Sequence, residues 1–142
     1  MNGISPLRLD DVYFSYGPVG VVDGICLEVL PGEMLGIVGP NGSGKTTFLD
    51  LITGILKPQR GDIQVGGLSL SQLSPKERAK RVAMVPQSPV VPQGFTALQV
   101  VLMGRNPHLG LLEWESSHDL VVAQRVMELT DTWKLARRMV TS

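Results

Sequence analysis

Apolar and polar residues alternate near the start of the chain. Leu7, Leu9, Val12, Phe14 and Tyr16 fall mostly two apart around Asp10 and Asp11, which predicts a strand with one solvated face. Ile25–Val29 predicts a second strand, closed by the Pro31-Gly32 turn, and Met34–Val38, apolar apart from Gly36, predicts a short buried one. The period then changes. From Thr46 to Thr53 the apolar positions Phe48, Leu49, Leu51 and Ile52 mark a helix, with Gly54 as its stop. After a polar loop at Lys57–Gly61, the apolar residues Ile63, Val65, Leu68 and Leu70 flank Gly66-Gly67, which predicts a hairpin. Ser74, Pro75 and Glu77 supply the cap, first-position proline and capping-box acid of a short helix ending near Arg81. Val82–Val85 predicts another short strand, ended by Pro86 and Gln87.

Beyond Gln87 the pattern turns helical. Pro86, Pro89 and Pro92 make an irregular loop. Thr96 caps a predicted helix running to Met103. Ser117 caps another, with Leu120, Ala123 and Met127 on one face and Val121 and Val126 broadening it. The chain therefore divides into an α/β part, residues 1–87, and an all-helical part, residues 88–142. No internal repeat or low-complexity tract is present.

Composition narrows the possibilities. The chain has 142 residues, 43% hydrophobic and 18% charged, as expected of a globular domain. Thirteen Lys and Arg balance thirteen Asp and Glu, so there is no electrostatic case for a nucleic-acid partner or an acidic lipid surface. A single cysteine, Cys26, excludes an intrachain disulfide and a four-cysteine metal site. The first fifteen residues carry Asp10 and Asp11 and show no signal-peptide core. Apolar runs such as Val100–Met103 fall far short of the ~18 residues of a spanning helix. A role at a membrane would require another chain to place the protein there.

The candidate chemistry lies between the third predicted strand and the first helix. Gly39-Pro40-Asn41-Gly42-Ser43-Gly44-Lys45-Thr46 fits G-x-x-x-x-G-K-[ST], the phosphate-binding loop. Glycines allow the tight turn that points several N–H groups inward as an anion nest, and the helix that follows adds the positive end of its dipole. Lys45 is placed to reach the β- and γ-phosphates, and the Thr46 hydroxyl to coordinate Mg²⁺. Other residues read more plainly. His108 and His118 fall in a surface loop and at a helix start. Lys76, Arg78, Lys80 and Arg81 form a solvated basic face. Cys26 reads as a small buried hydrophobe, and Trp114 and Trp133 as packing residues of the helical part.

Three features together resemble the ATP-binding subunit of ABC transporters over essentially the whole chain. They are Tyr16-Gly17 upstream, the loop Gly39–Thr47, and the Pro86-Gln87 step downstream. The resemblance implies an α/β P-loop NTPase core with an N-terminal antiparallel β part and the start of an all-helical subdomain. It makes Tyr16 the aromatic that stacks on adenine. Gly39, Asn41, Gly42, Ser43, Gly44, Lys45, Thr46 and Thr47 become the phosphate loop, with Thr46 on Mg²⁺ and Thr47 near the α-phosphate. Gln87 becomes the glutamine that touches Mg²⁺ or the attacking water and relays movement to the membrane subunit. Lys45 and Gln87 are thus the implied catalytic residues, Thr46 and Gln87 the implied metal ligands, and ATP and Mg²⁺ the implied cofactors.

Gly104-Arg105-Asn106-Pro107-His108-Leu109-Gly110 further resembles a segment of importers of iron–siderophore complexes, haem and cobalamin. The implied partners are a transmembrane permease subunit, a second ATP-binding subunit completing a homodimer, and, indirectly, a substrate-binding protein. The implied place is the cytoplasmic face of the membrane. The family also uses a Leu-Ser-Gly-Gly-Gln signature, a strand ending Asp-Glu and a switch histidine, none of which occurs in these 142 residues. The expectation is therefore an N-terminal piece of a longer subunit, with the C-terminal half of the core missing, that binds ATP but turns it over negligibly and exposes apolar strand edges. The other readings are a natural nucleotide-binding module without turnover and another ATPase of the same superfamily. A GTPase or small-molecule kinase is disfavoured by the lack of an Asn-Lys-x-Asp guanine reader.

Overall fold

Leu9, Val12 and Phe14 turn inward from the first strand, β1 (Leu7–Tyr16), although Leu9 and Val12 are three residues apart. A bulge at Asp10–Asp11, with Asp11 at φ 52°, absorbs the extra residue and returns Val12 and Phe14 to the core face. The computed structural model describes residues 5–89, 93–110 and 112–140, so Pro92, Thr141 and Ser142 lie outside the described residues. The chain divides into two compact units, Met1–Met84 and Val85–Ser142.

In the first unit β1 pairs with β2 (Val19–Val29) on one side and β3 (Arg60–Val65) on the other. β4 (Leu68–Ser69) completes an antiparallel sheet of order β2-β1-β3-β4. The predicted second strand begins earlier than its apolar run, because Val19 and Gly20 pair with Tyr16 and Ser15 immediately after a two-residue turn. Gly66 and Gly67 both have positive φ (58° and 76°) and join β3 to β4 as the predicted hairpin, with Val65 opposite Leu68. Helix α1 (Lys45–Ile52) lays Phe48 and Leu51 against the core made by Leu9, Val12, Phe14, Val22, Ile63 and Val65. Helix α2 (Pro75–Ala79) carries the predicted capping box, Ser74 with Glu77.

Two predicted strands do not form. Met34–Val38 and Val82–Val85 take no regular secondary structure and pair with no strand among the described residues. An apolar segment becomes a strand only when a neighbour completes its ladder. Met34, Val38 and Val85 are 96%, 94% and 93% exposed, so these segments are not buried either. Gln87 consequently closes no strand and lies in a bend. Cys26 is exposed rather than buried, and its sulfur accepts from the Asp11 N–H at 3.3 Å beside the bulge.

The second unit holds α3 (Ala97–Met103) and α4 (Ser117–Leu129), with single 3₁₀ turns at Asn106–His108 and Trp133–Leu135. Thr96 caps α3 as predicted, with Gln99 completing the box. The cap of α4 is Ser116, one residue before the predicted Ser117, because Asp119 then stands at the third helical position and returns the bond. The buried face of α4 is Asp119, Ala123 and Met127, while Leu120, Val121 and Val126 are exposed. Trp114 is 87% exposed and is not a packing residue. His108 and His118 are exposed, as expected.

Asp119 moves to the buried face because Arg105, from the Gly104–Gly110 segment, donates Nε–H to its Oδ1 at 2.8 Å. The Ser116 hydroxyl, followed by the Arg105 guanidinium, holds the Asp119 carboxyl well below the usual carboxylate range. A carboxylate whose folded pKa is depressed contributes stability that is present above its unfolded pKa, near 3.9, and is lost as the pH falls below it. The helical unit is therefore expected to lose thermal stability below about pH 4. Asp119→Asn should be less stable at neutral pH and show a flatter profile in acid. Circular-dichroism melts across pH 2–7 read both effects, and parallel profiles for the two proteins would refute the assignment. No helix among the described residues is long and apolar enough to cross a membrane.

Candidate phosphate-binding site

The loop between Met34–Val38 and α1 takes its shape from two glycines. Gly42 and Gly44 sit at φ 81° and 86°, the left-handed region that a side chain disfavours. A Ser43 N–H to Pro40 carbonyl bond of 3.3 Å closes the turn, and the Phe48 N–H reaches the Gly44 carbonyl at 2.8 Å to begin the helix. Space is also tight. A Cβ on Gly39 would stand 2.7 Å from Ser43 Oγ, and one on Gly44 would stand 2.7 Å from Val21 Cγ1 and 3.2 Å from the Val21 carbonyl oxygen. The start of β2 therefore packs directly on the loop.

Electrostatically the loop is prepared for an anion. Gly44 is the N-cap of α1 and offers no side-chain acceptor, and the first turn has no acidic residue. The other three α-helices among the described residues each start with a full capping box. The first N–H groups of α1 are thus left without intrahelical partners, at the positive end of the helix dipole. The Lys45 ammonium lies back across the loop, donating to the carbonyls of Gly39 at 2.9 Å and Pro40 at 2.7 Å, with Ser43 Oγ at 3.4 Å. An ammonium, a row of N–H donors and no carboxylate are the donor set a polyphosphate needs.

Thr46 is exposed at the helix start and presents a hydroxyl oxygen, while Thr47 is buried beneath it. No group of three or more His, Cys, Asp or Glu among the described residues could hold a metal ion. A hard cation here would be held by the Thr46 oxygen together with phosphate oxygens and water, a mode that suits Mg²⁺. Asn41 and Gly42 form the exposed tip of the loop.

Tyr16 ends β1 in the same unit. Its ring meets Phe14 edge-on, with centroids 5.0 Å apart at 86°, and 53% of its surface is free. The β1–β2 turn that follows it leads to Val21, the residue in contact with Gly44. Gln87 falls in the second unit, exposed. A cleft of about 460 Å³ under the loop is lined mainly by apolar side chains, among them Val21, Ile25, Leu27, Leu35, Ile37 and Phe48. Sequence reasoning missed two contacts of the site. Val21 braces Gly44, and Arg78, one of the residues assigned to a solvated basic face, instead donates to the Gly54 carbonyl beyond the end of α1 at 2.7 Å. Neither spacing nor residue type marks these pairs in the sequence.

The sequence profile of the family described as ABC transporter matches residues 22–142. Among curated relatives, the hemin import ATP-binding protein HmuV of Myxococcus xanthus is 44% identical over 112 residues, covering 79% of this chain and 41% of the relative. The petrobactin import ATP-binding protein FpuD of Bacillus anthracis is 35% identical over 126 residues, 89% of this chain and 46% of the relative. Among solved structures, a nucleotide-free ATP-binding cassette from an ABC transporter superposes with a TM-score of 0.79 at 26% identity, over 94% of this chain and 57% of that one. The chain spans about half the length of the curated relatives it matches.

Proposed function

The chain belongs to the ABC transporter family, and on that premise we propose that it binds Mg²⁺-ATP as part of the motor subunit of an importer for an iron complex, haem or cobalamin. One observation carries the reading: left-handed Gly42 and Gly44 lead into an uncapped helix whose first residue, Lys45, holds its ammonium over the loop. On this reading Gly39, Asn41, Gly42, Ser43, Gly44, Lys45, Thr46 and Thr47 enclose the phosphates. Lys45 exchanges the Gly39 and Pro40 carbonyls for β- and γ-phosphate oxygens. The backbone N–H groups of Lys45, Thr46 and Thr47 hold phosphate oxygens in place, and the Thr46 hydroxyl holds Mg²⁺. The metal, when bound, supplies charge neutralisation between the phosphates. The half-free ring of Tyr16 stacks on adenine, and Gln87 contributes to the Mg²⁺ and water shell.

The cargo class follows from two supports. Relatives over this stretch carry names of hemin and petrobactin import proteins, and Gly104–Gly110 resembles the matching importer segment. In the structure that segment is the end of α3, the Arg105 ion pair and a 3₁₀ turn. The proposed partners are a transmembrane permease and a second ATP-binding subunit, with a substrate-binding protein reached through the permease, all served from the cytoplasmic face. Turnover belongs to the whole subunit, and these 142 residues bind nucleotide with negligible hydrolysis.

The test is calorimetric titration with Mg-ATP and Mg-GTP, paired with a phosphate-release assay. Binding of ATP without release is expected. Tyr16→Ala should weaken ATP by about three- to tenfold, the worth of one aromatic stack, and narrow the preference over GTP. ATP turnover abolished by Lys45→Ala would overturn the division between binding and hydrolysis, and unchanged ATP affinity in Tyr16→Ala would remove its adenine role.

A further inference from the structure

The far end of the phosphate-loop helix has an unusual clasp. Helix α1 ends at Ile52, Thr53 caps it, and Gly54 turns the chain at φ 74°. The Thr53 hydroxyl donates to the carbonyls of Leu49 and Asp50 at 2.9 and 3.2 Å. The Gly54 carbonyl is taken by a residue 24 positions away: Arg78 donates Nη1–H to it at 2.7 Å. The fit is close, since a Cβ on Gly54 would stand 2.7 Å from that Nη1 and 3.0 Å from Arg78 Cδ. Every other residue of α2 is exposed, and Arg78 alone is half-buried. The helix lies where it does because Leu73 and Val82, on either side of it, pack against the core. α1 itself has no basic residue in its last turn, so Arg78 is the cation that this carbonyl end receives.

We propose that Arg78 is a positioning residue for nucleotide binding, acting through α1. It rests on the phosphate-loop reading above. A cation at the carbonyl end of a helix complements the dipole whose opposite end carries the positive field, and its hydrogen bond fixes the helix along its axis. In an eight-residue helix the two ends are only about 12 Å apart, so a small shift at Gly54 moves the N–H groups of Lys45, Thr46 and Thr47. Arg78 never approaches the ligand. It sets the place and strength of the donors that do.

The experiment measures affinity of the full chain for Mg-ATP and for inorganic tripolyphosphate by calorimetry, with a thermal melt of each variant. Arg78→Ala should weaken both ligands by roughly three- to tenfold, because the effect is on the phosphate cradle and not on the base. Arg78→Lys, which keeps a charge and a donor, should return to within about twofold of the parent, and the loss in Arg78→Ala should shrink at high salt. Leu73→Ala supplies the structural control: it removes core packing beside α2 while leaving the Arg78 guanidinium and the Gly54 carbonyl in place as groups, so its melt should fall while its affinity stays. Lys45→Ala serves as the reference for the site. If Lys45→Ala abolishes binding and Arg78→Ala leaves it within twofold, the positioning role is overturned and the phosphate loop stands. If Leu73→Ala weakens binding as Arg78→Ala does, or Arg78→Lys rescues nothing, Arg78 is merely structural. If Lys45→Ala still binds like the parent, the site reading fails and the proposal falls with it.

Discussion

Replacing Lys45 with alanine is expected to reduce affinity for Mg-ATP by on the order of a hundredfold, the worth of one or two charge-assisted hydrogen bonds to phosphate. The ammonium already sits at the loop, 2.9 and 2.7 Å from the Gly39 and Pro40 carbonyls, and alanine removes it. Arginine should not rescue. A planar fork needs more width than a compact ammonium, and it enters a loop where even a Cβ on Gly39 would meet Ser43 Oγ at 2.7 Å. Calorimetry on Lys45→Ala and Lys45→Arg checks both statements, and a dissociation constant within threefold of the parent in either would refute the corresponding one.

The largest effect on stability is expected at Gly61, far from the loop in sequence but opposite the bulge of β1. Its φ is 86°, and a Cβ there would stand 2.5 Å from the Asp10 carbonyl oxygen and closer still to that of Asp11. These are backbone atoms of a central strand and cannot swing aside. Gly61→Ala therefore combines left-handed strain with a steric shift of β1, together roughly 2–5 kcal/mol. Arg60 adds to the coupling, since its guanidinium lies 5.0 Å from the centre of the Tyr13 ring and pairs with Asp11 at 2.9 Å. A denaturant titration of Gly61→Ala should show the midpoint shift with little change in slope. Gly66→Ala is the comparison, because its would-be Cβ meets nothing within 4 Å and only the strain remains.

Much of this was legible in the sequence, and the failures share a cause. The phosphate loop, the Gly66-Gly67 hairpin and the caps at Ser74 and Thr96 are local: a few consecutive residues carry both the signal and the partner that satisfies it. Met34–Val38 and Val82–Val85 have the composition of buried strands, but a strand is a property of a pair, and the pairing residues are not in the apolar run. The buried face of α4 differs from the apolar face predicted from Leu120, Ala123 and Met127 because Asp119 joins it in place of Leu120, and Arg105, in another element, makes that burial possible. Val21 against Gly44 and Arg78 on Gly54 were invisible for the same reason: each joins residues more than twenty apart.

The missing cap of α1 has a thermodynamic consequence. Among the described residues, three helices satisfy their own first turns with serine, threonine, aspartate, glutamate or glutamine; α1 leaves that task to whatever occupies the loop. A ligand that binds the folded form alone adds RT ln(1 + [L]/Kd) to stability, about 2.7 kcal/mol at a hundred times its dissociation constant. If nucleotide is that ligand, as proposed, part of the folding free energy of the first unit is held outside the chain, in the surrounding nucleotide pool. As that pool is depleted, mass action lowers the resistance of the fold to unfolding and proteolysis with no change in any side chain.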